Sequence, residues 1–449
     1  MKKFTDFPYS SILVLGLAKS GTAAAQTLLA NDKKVIVNDR NAREHDEIVV
    51  NLRKMGADVI VGSHPISILD EIEIVVKNPG IPYDNPIAAE AVKRGIPIIT
   101  EIELAFHLAD GPIIAVTGSN GKTTTTTLVT EMLRESDVPV KVAGNIGIVA
   151  TEAVHDLGEN EKLVLELSSF QLQGIEKFKP ATAVLLNIFE AHLDYHKTLD
   201  NYKQAKFNIF RNQTAQDYLV YNADDASIAK VIHQAKAKLV PFSVSKKLET
   251  GAWADDSYIY FNGEKLISRK EIVLVGEHNL ENILAAVACG KLNGATNEGI
   301  RKVLMTFTGV RHRLQFVGNL NGRLFYNDSK ATNILAAQKA LSAFRQPIIL
   351  LAGGLDRGNE FTDLLPFLKN VKTMVVFGQT AGKLKQLAKE AGIQTIIDAE
   401  NVQDAVEKAY PTSKENDVIL LSPACASWDQ YRTFEERGDI FVQAVHKLK

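Results

Sequence analysis

Short runs of β-branched and other apolar residues alternate along the chain with longer segments whose apolar positions recur at helical spacing. Apolar runs of this length are typical of buried strands, and their alternation with amphipathic helices is typical of mainly parallel sheets. The pattern therefore predicts an α/β protein. The expected strands are 11–16, 34–39, 73–80, 96–100, 113–117, 163–167, 183–188, 323–327, 348–352, 374–377 and 418–422.

These strands fall into three groups along the 449 residues, a length that allows several independent cores. We expect three α/β domains, residues 1–100, 101–309 and 310–449. The chain has no repeat of fixed period and no long linker between these groups. In the first domain, a helix over 22–29 should follow the first strand.

Composition narrows the class of protein. Apolar residues make up 45% and charged residues 23% of the chain, as in ordinary globular proteins. The net charge of -2 gives no reason to expect binding to nucleic acid or membrane surfaces. No apolar run reaches the roughly 18 residues of a membrane span, and we expect no signal peptide. The two cysteines, Cys289 and Cys425, cannot build a disulfide framework, so we expect a cytoplasmic protein.

A glycine loop follows the first predicted strand, where residues 16–21 read G-L-A-K-S-G. It resembles the dinucleotide fingerprint G-x-G-x-x-G, but Ala18 replaces the glycine that normally lets a pyrophosphate approach the backbone. Asp39 ends the second predicted strand, where an acidic residue would bind a ribose. The loop is either a tight strand–helix turn or a loop that binds a diphosphate or nucleotide in a Rossmann-like domain. Because of Ala18, a binding site for a nicotinamide cofactor is less expected.

A second glycine loop, residues 118–123, reads G-S-N-G-K-T after the strand 113–117. It lacks the first glycine of the pattern G-x-x-x-x-G-K-[ST], because Val116 stands there. A helix starting near Thr123 would direct the backbone N–H groups of 119–124 at a phosphate. Lys122 would then contact the β- and γ-phosphates, and Thr123 would bind Mg²⁺. The alternative is a capped helix with an incidental lysine.

Residues suited to a metal site follow the next two strands of this domain. Glu166 lies near the carboxyl end of 163–167, the edge at which parallel sheets bind ligands. His192 lies just beyond the strand 183–188. His192 and His196 have metal-ligand spacing, but the glutamate of the H-E-x-x-H motif is missing, so a zinc protease is not expected.

Lys206 lies on an apolar helical face with Tyr202, Ile209 and Phe210. Such a lysine usually extends its ammonium group to water. If it faced a magnesium site instead, its positive charge would repel the cation, and carbamylation would turn the side chain into an anion. The residues alone leave both alternatives open.

Motifs along the whole chain resemble those of the Mur ligase family. In order they are G-S-N-G-K-T, E-L-S-S-F-Q, H-L-D-Y-H, H-N-L-E-N, N-D-S-K-A-T-N and S-P-A-C-A-S-W-D-Q-Y-R-T-F-E-E-R-G. The shortened phosphate loop is shared across the wider superfamily, including folylpolyglutamate synthases. The last two motifs look specific to the member that adds D-glutamate.

The resemblance implies a Rossmann-like N-terminal domain that binds the uridine substrate, a central phosphate-loop ATPase domain and a Rossmann-like C-terminal domain that binds the amino acid. It implies ATP-dependent addition of D-glutamate to UDP-N-acetylmuramoyl-L-alanine through an acyl phosphate, with two Mg²⁺ sites. The protein would be a cytoplasmic monomer acting on small molecules in peptidoglycan synthesis. The alternative within the superfamily is another Mur ligase or a folylpolyglutamate synthase-like amide ligase.

The resemblance also implies a role for individual residues. The ATP site would contain Gly118, Ser119, Asn120, Gly121, Lys122, Thr123, Thr124, Thr125, Asn282, Arg313 and Asp328. The uridine nucleotide would bind to Gly16, Leu17, Ala18, Lys19, Ser20, Gly21, Asp39, Arg40, Gly80 and Asn145. D-Glutamate would bind to Thr332, Arg357, Ser427 and the Phe434 backbone. The metals would be held by Thr123, Glu166, His192 and a carbamylated Lys206, and the catalytic residues would be Lys122, His192, Lys206 and Lys330.

Three positions have open alternatives. Arg357 stands where a relative carries lysine, and its planar guanidinium would bind a carboxylate with two hydrogen bonds. Lys330 either stabilises the transition state or pairs with Asp328. We interpret Cys425 as a small packed thiol, because no histidine stands near it in the sequence to activate it.

Two other classes of protein fit the residues less well. A nicotinamide oxidoreductase would use the first glycine loop and leave the second loop and Glu166 without a role. A regulatory ATPase would hydrolyse ATP as a switch, without an amino acid.

Overall fold

The computed structural model describes residues 2–4, 6–274 and 276–448, except the side chains of Glu277 and His278. The chain forms two compact units. The first consists of Met1–Glu271 with Leu280–Met305, and the second of Ile272–Asn279 with Thr306–Lys449. In the part of the chain that is described, every helix is too short or too polar to cross a bilayer.

The first sheet lies in the first unit, and its strands are parallel in the order β3-β2-β1-β4-β5. Its apolar side chains form one cluster on each face, so the sheet is buried on both sides. Its strands are β1 Ser11–Leu15, β2 Lys34–Asp39, β3 Asp58–Val61, β4 Ile74–Lys77 and β5 Ile98–Ile99. The helices that follow these strands are α1 Lys19–Ala30, α2 Glu47–Lys54, α3 Pro86–Lys93 and α4 Glu101–Leu108.

The second sheet of this unit has the order β14-β13-β12-β11-β10-β9-β6-β8-β7. It is parallel from β7 to β12 and ends in the antiparallel strands β13 and β14. The strands are β6 Ile113–Thr117, β7 Val140–Gly144, β8 Lys162–Glu166, β9 Thr182–Leu185, β10 Tyr218–Asn222, β11 Lys238–Ser243, β12 Ala252–Ala254, β13 Tyr258–Phe261 and β14 Glu264–Ser268. The helices are α5 Lys122–Arg134, α6 Ala150–His155, α7 Ser169–Gln173, α8 Leu193–His196, α9 Leu199–Phe207, α10 Ala226–Ala229, α11 Glu277–Leu292 and α12 Asn297–Thr306.

The third sheet forms the centre of the second unit, in the order β15-β16-β20-β17-β18-β19, with only the β15–β16 pair antiparallel among the described strands. In β17, Leu350 and Ala352 face one apolar cluster, while Ile349 and Leu351 face the other. The strands are β15 Gln315–Leu320, β16 Arg323–Asn327, β17 Ile348–Gly353, β18 Val371–Phe377, β19 Thr395–Asp398 and β20 Val418–Leu421. The helices are α13 Ile334–Ser342, α14 Ala381–Glu390, α15 Val402–Ala409 and α16 Phe434–Lys447.

The predicted α/β class is confirmed, with a few differences in detail. The helix expected over 22–29 begins earlier, at Lys19, because the glycine loop itself closes the first turn. Gly21 fits there since a Cβ would stand 1.9 Å from the Gly16 carbonyl oxygen. The predicted strand 183–188 ends at Leu185, beyond which the chain leaves the sheet. Strands β3, β7, β10 to β15 and β19 were not predicted, because they are short or because polar residues and glycines interrupt their apolar runs.

Candidate active site

The second glycine loop joins β6 to α5 at the carboxyl edge of the second sheet. Gly121 has φ +83, and a Cβ there would stand 2.0 Å from Asn282 Oδ1, so glycine alone fits. The N-cap residue Gly121 has no side chain that could cap the first turn of α5, so this helix N-terminus is suited to an anion. The helix begins at Lys122, one residue earlier than expected.

Lys122 and Lys206 both donate to the same backbone oxygen. Lys122 Nζ lies 2.9 Å from the Gly118 carbonyl oxygen, and Lys206 Nζ lies 2.8 Å from it. Lys122 Nζ also donates to the Ser119 carbonyl oxygen at 3.1 Å. The Nζ atoms of two lysines therefore converge on the loop where a phosphate is expected.

Asn187 and Tyr202 hold the loop, and sequence reasoning assigned neither of them this role. Asn187 accepts from the Ser119 backbone N–H through its carbonyl and from the Asn120 N–H through Oδ1, each at 2.9 Å. Tyr202 Oη lies 2.8 Å from Ser119 Oγ. Two of the N–H groups expected to face a phosphate are thus bound to Asn187, and the α5 N-terminus supplies the rest of the anion site.

The predicted threonines and Asn282 lie next to the loop. Thr124 and Thr125 are buried in the first turns of α5, while Thr123 is partly exposed. Thr125 Oγ1 lies 3.5 Å from Asn282 Oδ1, and Asn282 covers Gly121. Asn282 therefore lies against the second glycine loop, where the nucleotide is expected to bind.

Glu166 is the buried carboxylate of this site, with 1% of its surface exposed. Asn145 donates to Glu166 Oε1 at 2.8 Å, and its backbone N–H donates to the Glu166 carbonyl oxygen at 2.8 Å. Oε2 is buried without a hydrogen-bond partner among the described residues. A buried polar atom without a partner is costly, so this oxygen is suited to a cation.

Lys206 is 2% exposed and therefore does not extend to water. Burial lowers its pKa well below the usual value, and the nearby Lys122 charge lowers it further, while Glu166 acts in the opposite direction. Its ammonium lies 5.0 Å from the centre of the Tyr202 ring. The arrangement favours a neutral amine, the form that reacts with carbon dioxide.

The two histidines of the H-L-D-Y-H motif differ in environment. His192 has the left-handed backbone φ of 56, and its ring lies 4.9 Å from that of Phe170. Burial and then Lys206 lower the His192 pKa, which keeps its imidazole neutral. His196 is buried, bonds to Ser169 Oγ at 2.9 Å, and has its pKa lowered to about 4, chiefly by burial. His196 is thus a packing residue, and His192 is the candidate ligand.

Within the described residues, no three side chains of the His, Cys, Asp and Glu types are grouped as a protein-only metal site would require. A cation at Glu166 would have to share ligands from a hydroxyl, an imidazole and bound phosphate. This is the usual situation for Mg²⁺ in phosphate-transferring enzymes.

The first glycine loop is held by Asp39. Its Oδ2 accepts from the Leu17 N–H at 2.7 Å, and its Oδ1 accepts from the N–H groups of Asn41 and Ala42 at 2.7 and 3.0 Å. Ser20 Oγ accepts from Asn78 Nδ2 at 3.1 Å. Lys19, Ser20 and Gly21 form the first turn of α1, and Arg40 is exposed beside Asp39.

Gly80 and Asn145 were expected beside this loop. The Gly80 N–H donates to Asn78 Oδ1 at 3.2 Å, which ties Gly80 to the same network as Ser20. Asn145 bonds to Glu166 through its side chain, and its expected contact with the uridine nucleotide stays a prediction.

The second unit carries the other predicted residues. Asp328 is buried and accepts from the Leu314 N–H at 3.1 Å and from Ser422 Oγ at 3.0 Å. Burial raises the Asp328 pKa to about 7, although these hydrogen bonds and the Arg313 charge act in the opposite direction. Lys330 Nζ lies 5.7 Å from the centre of the Phe434 ring.

The residues expected to bind D-glutamate lie on loops at the carboxyl edge of the third sheet and at the start of α16. Ser427 is 2% exposed, and its Oγ lacks a hydrogen-bond partner within the described chain. The Arg357 guanidinium lies 4.8 Å from the Trp428 ring centre, a cation–π contact with an exposed aromatic side chain. Thr332 directly precedes α13, which Asn333 caps. The Phe434 carbonyl accepts from Ser329 Oγ at 2.8 Å.

Arg437 connects these loops, and no sequence signal beyond its place in the last motif identified it. It is fully buried and donates through Nε to Ser329 Oγ at 3.0 Å and through Nη2 to the Cys425 carbonyl oxygen at 3.0 Å. Nη1 lies 3.4 Å from the Gly353 carbonyl oxygen. Cys425 is buried, and burial raises its pKa, in agreement with a packed thiol.

Profiles of three Mur ligase domains match the chain. They are the MurD-like N-terminal domain at residues 10–100, the middle domain at 116–290 and the glutamate ligase domain at 312–425. Each matched segment contains one of the three sheets or its main part.

Proteins with similar sequences span the whole chain. UDP-N-acetylmuramoylalanine--D-glutamate ligase of Oceanobacillus iheyensis is 61% identical, and that of Geobacillus kaustophilus is 57% identical, each over 100% of both chains. Among solved structures, UDP-N-acetylmuramate-alanine ligase MurC of Thermotoga maritima is 21% identical with a TM-score of 0.57, covering 98% of this chain and 100% of that one. MurF ligase of Thermotoga maritima in complex with ADP is 17% identical with a TM-score of 0.57, covering 98% and 96%. The two structures share the fold, and the sequence relatives establish that the chain belongs to the Mur ligase family.

Proposed function

We propose that the chain is an ATP-dependent ligase that joins D-glutamate to UDP-N-acetylmuramoyl-L-alanine in peptidoglycan precursor synthesis. The observation that carries this proposal is the 61% identity, over all 449 residues, with a relative named for that reaction. We assign the uridine nucleotide to residues 1–100, ATP to 101–309 and D-glutamate to 310–449. We also propose that the enzyme acts in the cytoplasm as a monomer.

The reaction requires activation because a carboxylate is a poor electrophile. A carboxylate oxygen of the L-alanine attacks the γ-phosphorus of ATP, forming an acyl phosphate and releasing ADP. The D-glutamate amine then attacks the acyl carbon, and a tetrahedral intermediate forms. As the amine loses a proton, phosphate leaves with the electron pair of the carbon–oxygen bond, and the amide remains.

The phosphate loop supplies positive charge where the phosphates develop negative charge. The open N-terminus of α5 and the Lys122 ammonium would bind the β- and γ-phosphates. A phosphate oxygen would replace the Gly118 carbonyl as the acceptor for Lys122.

The donor set around Glu166 fits Mg²⁺. The partnerless Glu166 Oε2, the Thr123 hydroxyl and the neutral His192 imidazole would hold the ions together with phosphate oxygens. When bound, Mg²⁺ would neutralise phosphate charge and polarise the transferred phosphoryl group. Asn145 orients the carboxylate by its bond to Oε1.

An ammonium at Lys206 would oppose a cation at Glu166, and we propose that Lys206 is carbamylated. The neutral amine attacks carbon dioxide, a nitrogen–carbon bond forms, and one proton is released, which leaves an anionic carbamate. Burial of Lys206 supports this, because it favours the neutral amine. In a crystal grown with Mg²⁺ and bicarbonate, we expect branched density at Lys206, and unbranched lysine density would contradict the proposal.

We place the D-glutamate pocket at the partnerless Ser427 hydroxyl and the Arg357 guanidinium. Arg357 suits one of the two carboxylates, because its fork donates two parallel hydrogen bonds. The guanidinium of Arg357 packs on one face of the Trp428 ring, which limits the conformations of the free side chain. Less conformational entropy is therefore lost when Arg357 binds a carboxylate.

The substrate specificity can be tested by phosphate release. With ATP, Mg²⁺ and UDP-N-acetylmuramoyl-L-alanine present, D-glutamate, L-lysine, meso-diaminopimelate and L-alanine are supplied in turn. We expect release that requires both the uridine substrate and D-glutamate. Release with another amino acid would identify another Mur ligase, and release without any amino acid would indicate a regulatory ATPase.

A further inference from the structure

Lys77 is a buried lysine to which neither the sequence nor the proposed reaction assigns a role. It ends β4, and only 1% of its surface is exposed. Its Nζ contacts the carbonyl oxygens of Asn78, Pro79 and Ile81 at 3.2, 3.3 and 2.7 Å. Among the described residues, no carboxylate forms an ion pair with it, and burial lowers its pKa to about 7. A buried amino group that donates to three carbonyl oxygens of one loop fixes the direction of those carbonyls.

These carbonyls belong to the loop 78–81, which supports the first glycine loop. A Cβ on Gly16 would stand 2.7 Å from Ile81 Cδ1 and 3.0 Å from Asn78 Cβ, so the two loops are in close contact. Asn78 also donates to Ser20 Oγ and accepts from the Gly80 N–H. The position of Lys77 therefore determines the surface on which the uridine nucleotide is expected to lie.

Tyr195 extends this network to the second sheet of the same unit. Its hydroxyl lies 3.0 Å from Lys77 Nζ, 3.1 Å from the Pro79 carbonyl oxygen and 3.0 Å from that of Ile81. Tyr195 is in α8, three residues beyond the candidate metal ligand His192. The Phe170 ring lies 4.5 Å from the Tyr195 ring and 4.9 Å from the His192 ring, so all three rings pack together.

We propose that Lys77 and Tyr195 are positioning residues that fix the uridine-nucleotide loop 78–81 relative to the catalytic segment carrying His192. They would set the distance between the bound nucleotide and the place where its carboxylate is phosphorylated. Misplacing reacting groups by about 1 Å costs on the order of 100-fold in rate, so such a link affects turnover without touching the reacting atoms. This inference rests on the proposed function.

The decisive variant is Tyr195→Phe, which removes one hydroxyl and keeps the ring packed on Phe170. Tyr83→Phe is the matched control, because Lys77 Nζ lies 4.9 Å from the Tyr83 ring and the described residues give the Tyr83 hydroxyl no hydrogen bond. Lys77→Met and Lys77→Arg test the ammonium itself. For each variant, the thermal midpoint, kcat and the KM of all three substrates are measured beside the unaltered enzyme.

We expect Tyr195→Phe and Lys77→Met to lower kcat/KM for the uridine substrate about tenfold or more, with the KM for D-glutamate unchanged. Lys77→Arg should restore part of the loss, and Tyr83→Phe should match the unaltered enzyme. If folded Tyr195→Phe keeps full kcat/KM for the uridine substrate, or loses affinity equally for D-glutamate, the proposal is wrong. If Lys77→Met does not fold, the Tyr195→Phe result decides. If the unaltered enzyme itself does not turn over these substrates, the proposed function fails instead.

Discussion

At the scale of single residues, each of the two units contains buried basic side chains whose partners are mainly backbone oxygens. Lys122 and Lys206 share the Gly118 carbonyl, Lys77 is surrounded by carbonyls, and Arg437 donates to Ser329, Cys425 and Gly353. A cation held by carbonyls can exchange them for the oxygen of a ligand, or can fix a loop in place. Substitutions separate these two roles.

Lys122→Met should lower kcat by about 100-fold or more, because removing one group directed at developing negative charge costs about 2.7–4 kcal/mol. The measurement is steady-state phosphate release with saturating substrates. Lys93→Met is the control, since Lys93 lies on the exposed face of α3. Near-normal turnover of Lys122→Met would remove the loop lysine from the mechanism.

Arg357→Ala should raise the KM for D-glutamate and leave the KM for ATP unchanged, because the guanidinium is assigned to the amino-acid carboxylate. Arg357→Lys should retain part of the affinity, since the charge remains while the fork is lost. Initial rates at varied D-glutamate measure both effects. An equal rise in KM for ATP would place Arg357 outside the amino-acid pocket.

Asp328 gives a pH prediction. Burial raises the pKa of Asp328 from its ordinary 3.8 to about 7, so the folded state binds the proton more tightly than the unfolded chain. The resulting stabilisation is complete below about pH 4 and is lost as the pH rises through 7. The unaltered protein loses this stabilisation as the pH rises from about 4 to about 7, whereas Asp328→Asn has no carboxyl to titrate at this position. We therefore expect the free energy of unfolding of Asp328→Asn to increase over this range relative to that of the unaltered protein.

Urea unfolding at several pH values measures this difference. Asp363→Asn, at an exposed position of the same unit, is the matched control. A pH-independent difference for Asp328→Asn would mean that its carboxyl is ionised throughout.

At the scale of helices and strands, the site depends on how each element ends. Gly121 opens α5 without a side-chain cap, whereas Thr433 caps α16 by accepting the Glu436 N–H at 3.2 Å. The first helix keeps its N-terminus for an anion, and the second fixes the turn that begins with Phe434. We therefore expect a substitution at the N-terminus of α5 to affect anion binding, and one at the N-terminus of α16 to affect stability.

Thr433→Ala should destabilise the second unit by about 1 kcal/mol, because the cap is lost. Thr433→Ser should retain most of the stability. Denaturant unfolding followed by tryptophan fluorescence measures both variants, and equal stability of the Ala and Ser variants would show that the cap contributes nothing.

The elements that were predicted and those that were missed differ in composition. The strands 113–117 and 163–167 were found because every position is buried, which produces apolar runs interrupted only by Thr117 and Glu166. Strand β13 is an apolar run of only four residues, and β14 begins with the exposed, charged Glu264 and Lys265 at the edge of the sheet, so neither was found. The loop lysines were identified by a motif, but Asn187, Lys77 and Arg437 act through distant backbone atoms, and no local spacing reveals such contacts.

At the scale of the whole molecule, one chain combines three sheets in two compact units. We expect a monomer in solution, with a mass near 49.3 kDa by light scattering coupled to size-exclusion chromatography. Activity per milligram should then be independent of enzyme concentration. A mass twice as large, with activity that falls on dilution, would contradict this prediction.

The shared Gly118 carbonyl has a practical consequence for anyone working with this enzyme. The Lys122 ammonium is held there by carbonyl oxygens beside the N-terminus of α5, and a small tetrahedral anion that enters can replace them as its acceptor. Sulfate from a precipitation step or phosphate from a buffer would occupy the loop and compete with the nucleotide. Rates recorded in phosphate buffer should therefore understate the rates in an amine buffer at the same ionic strength.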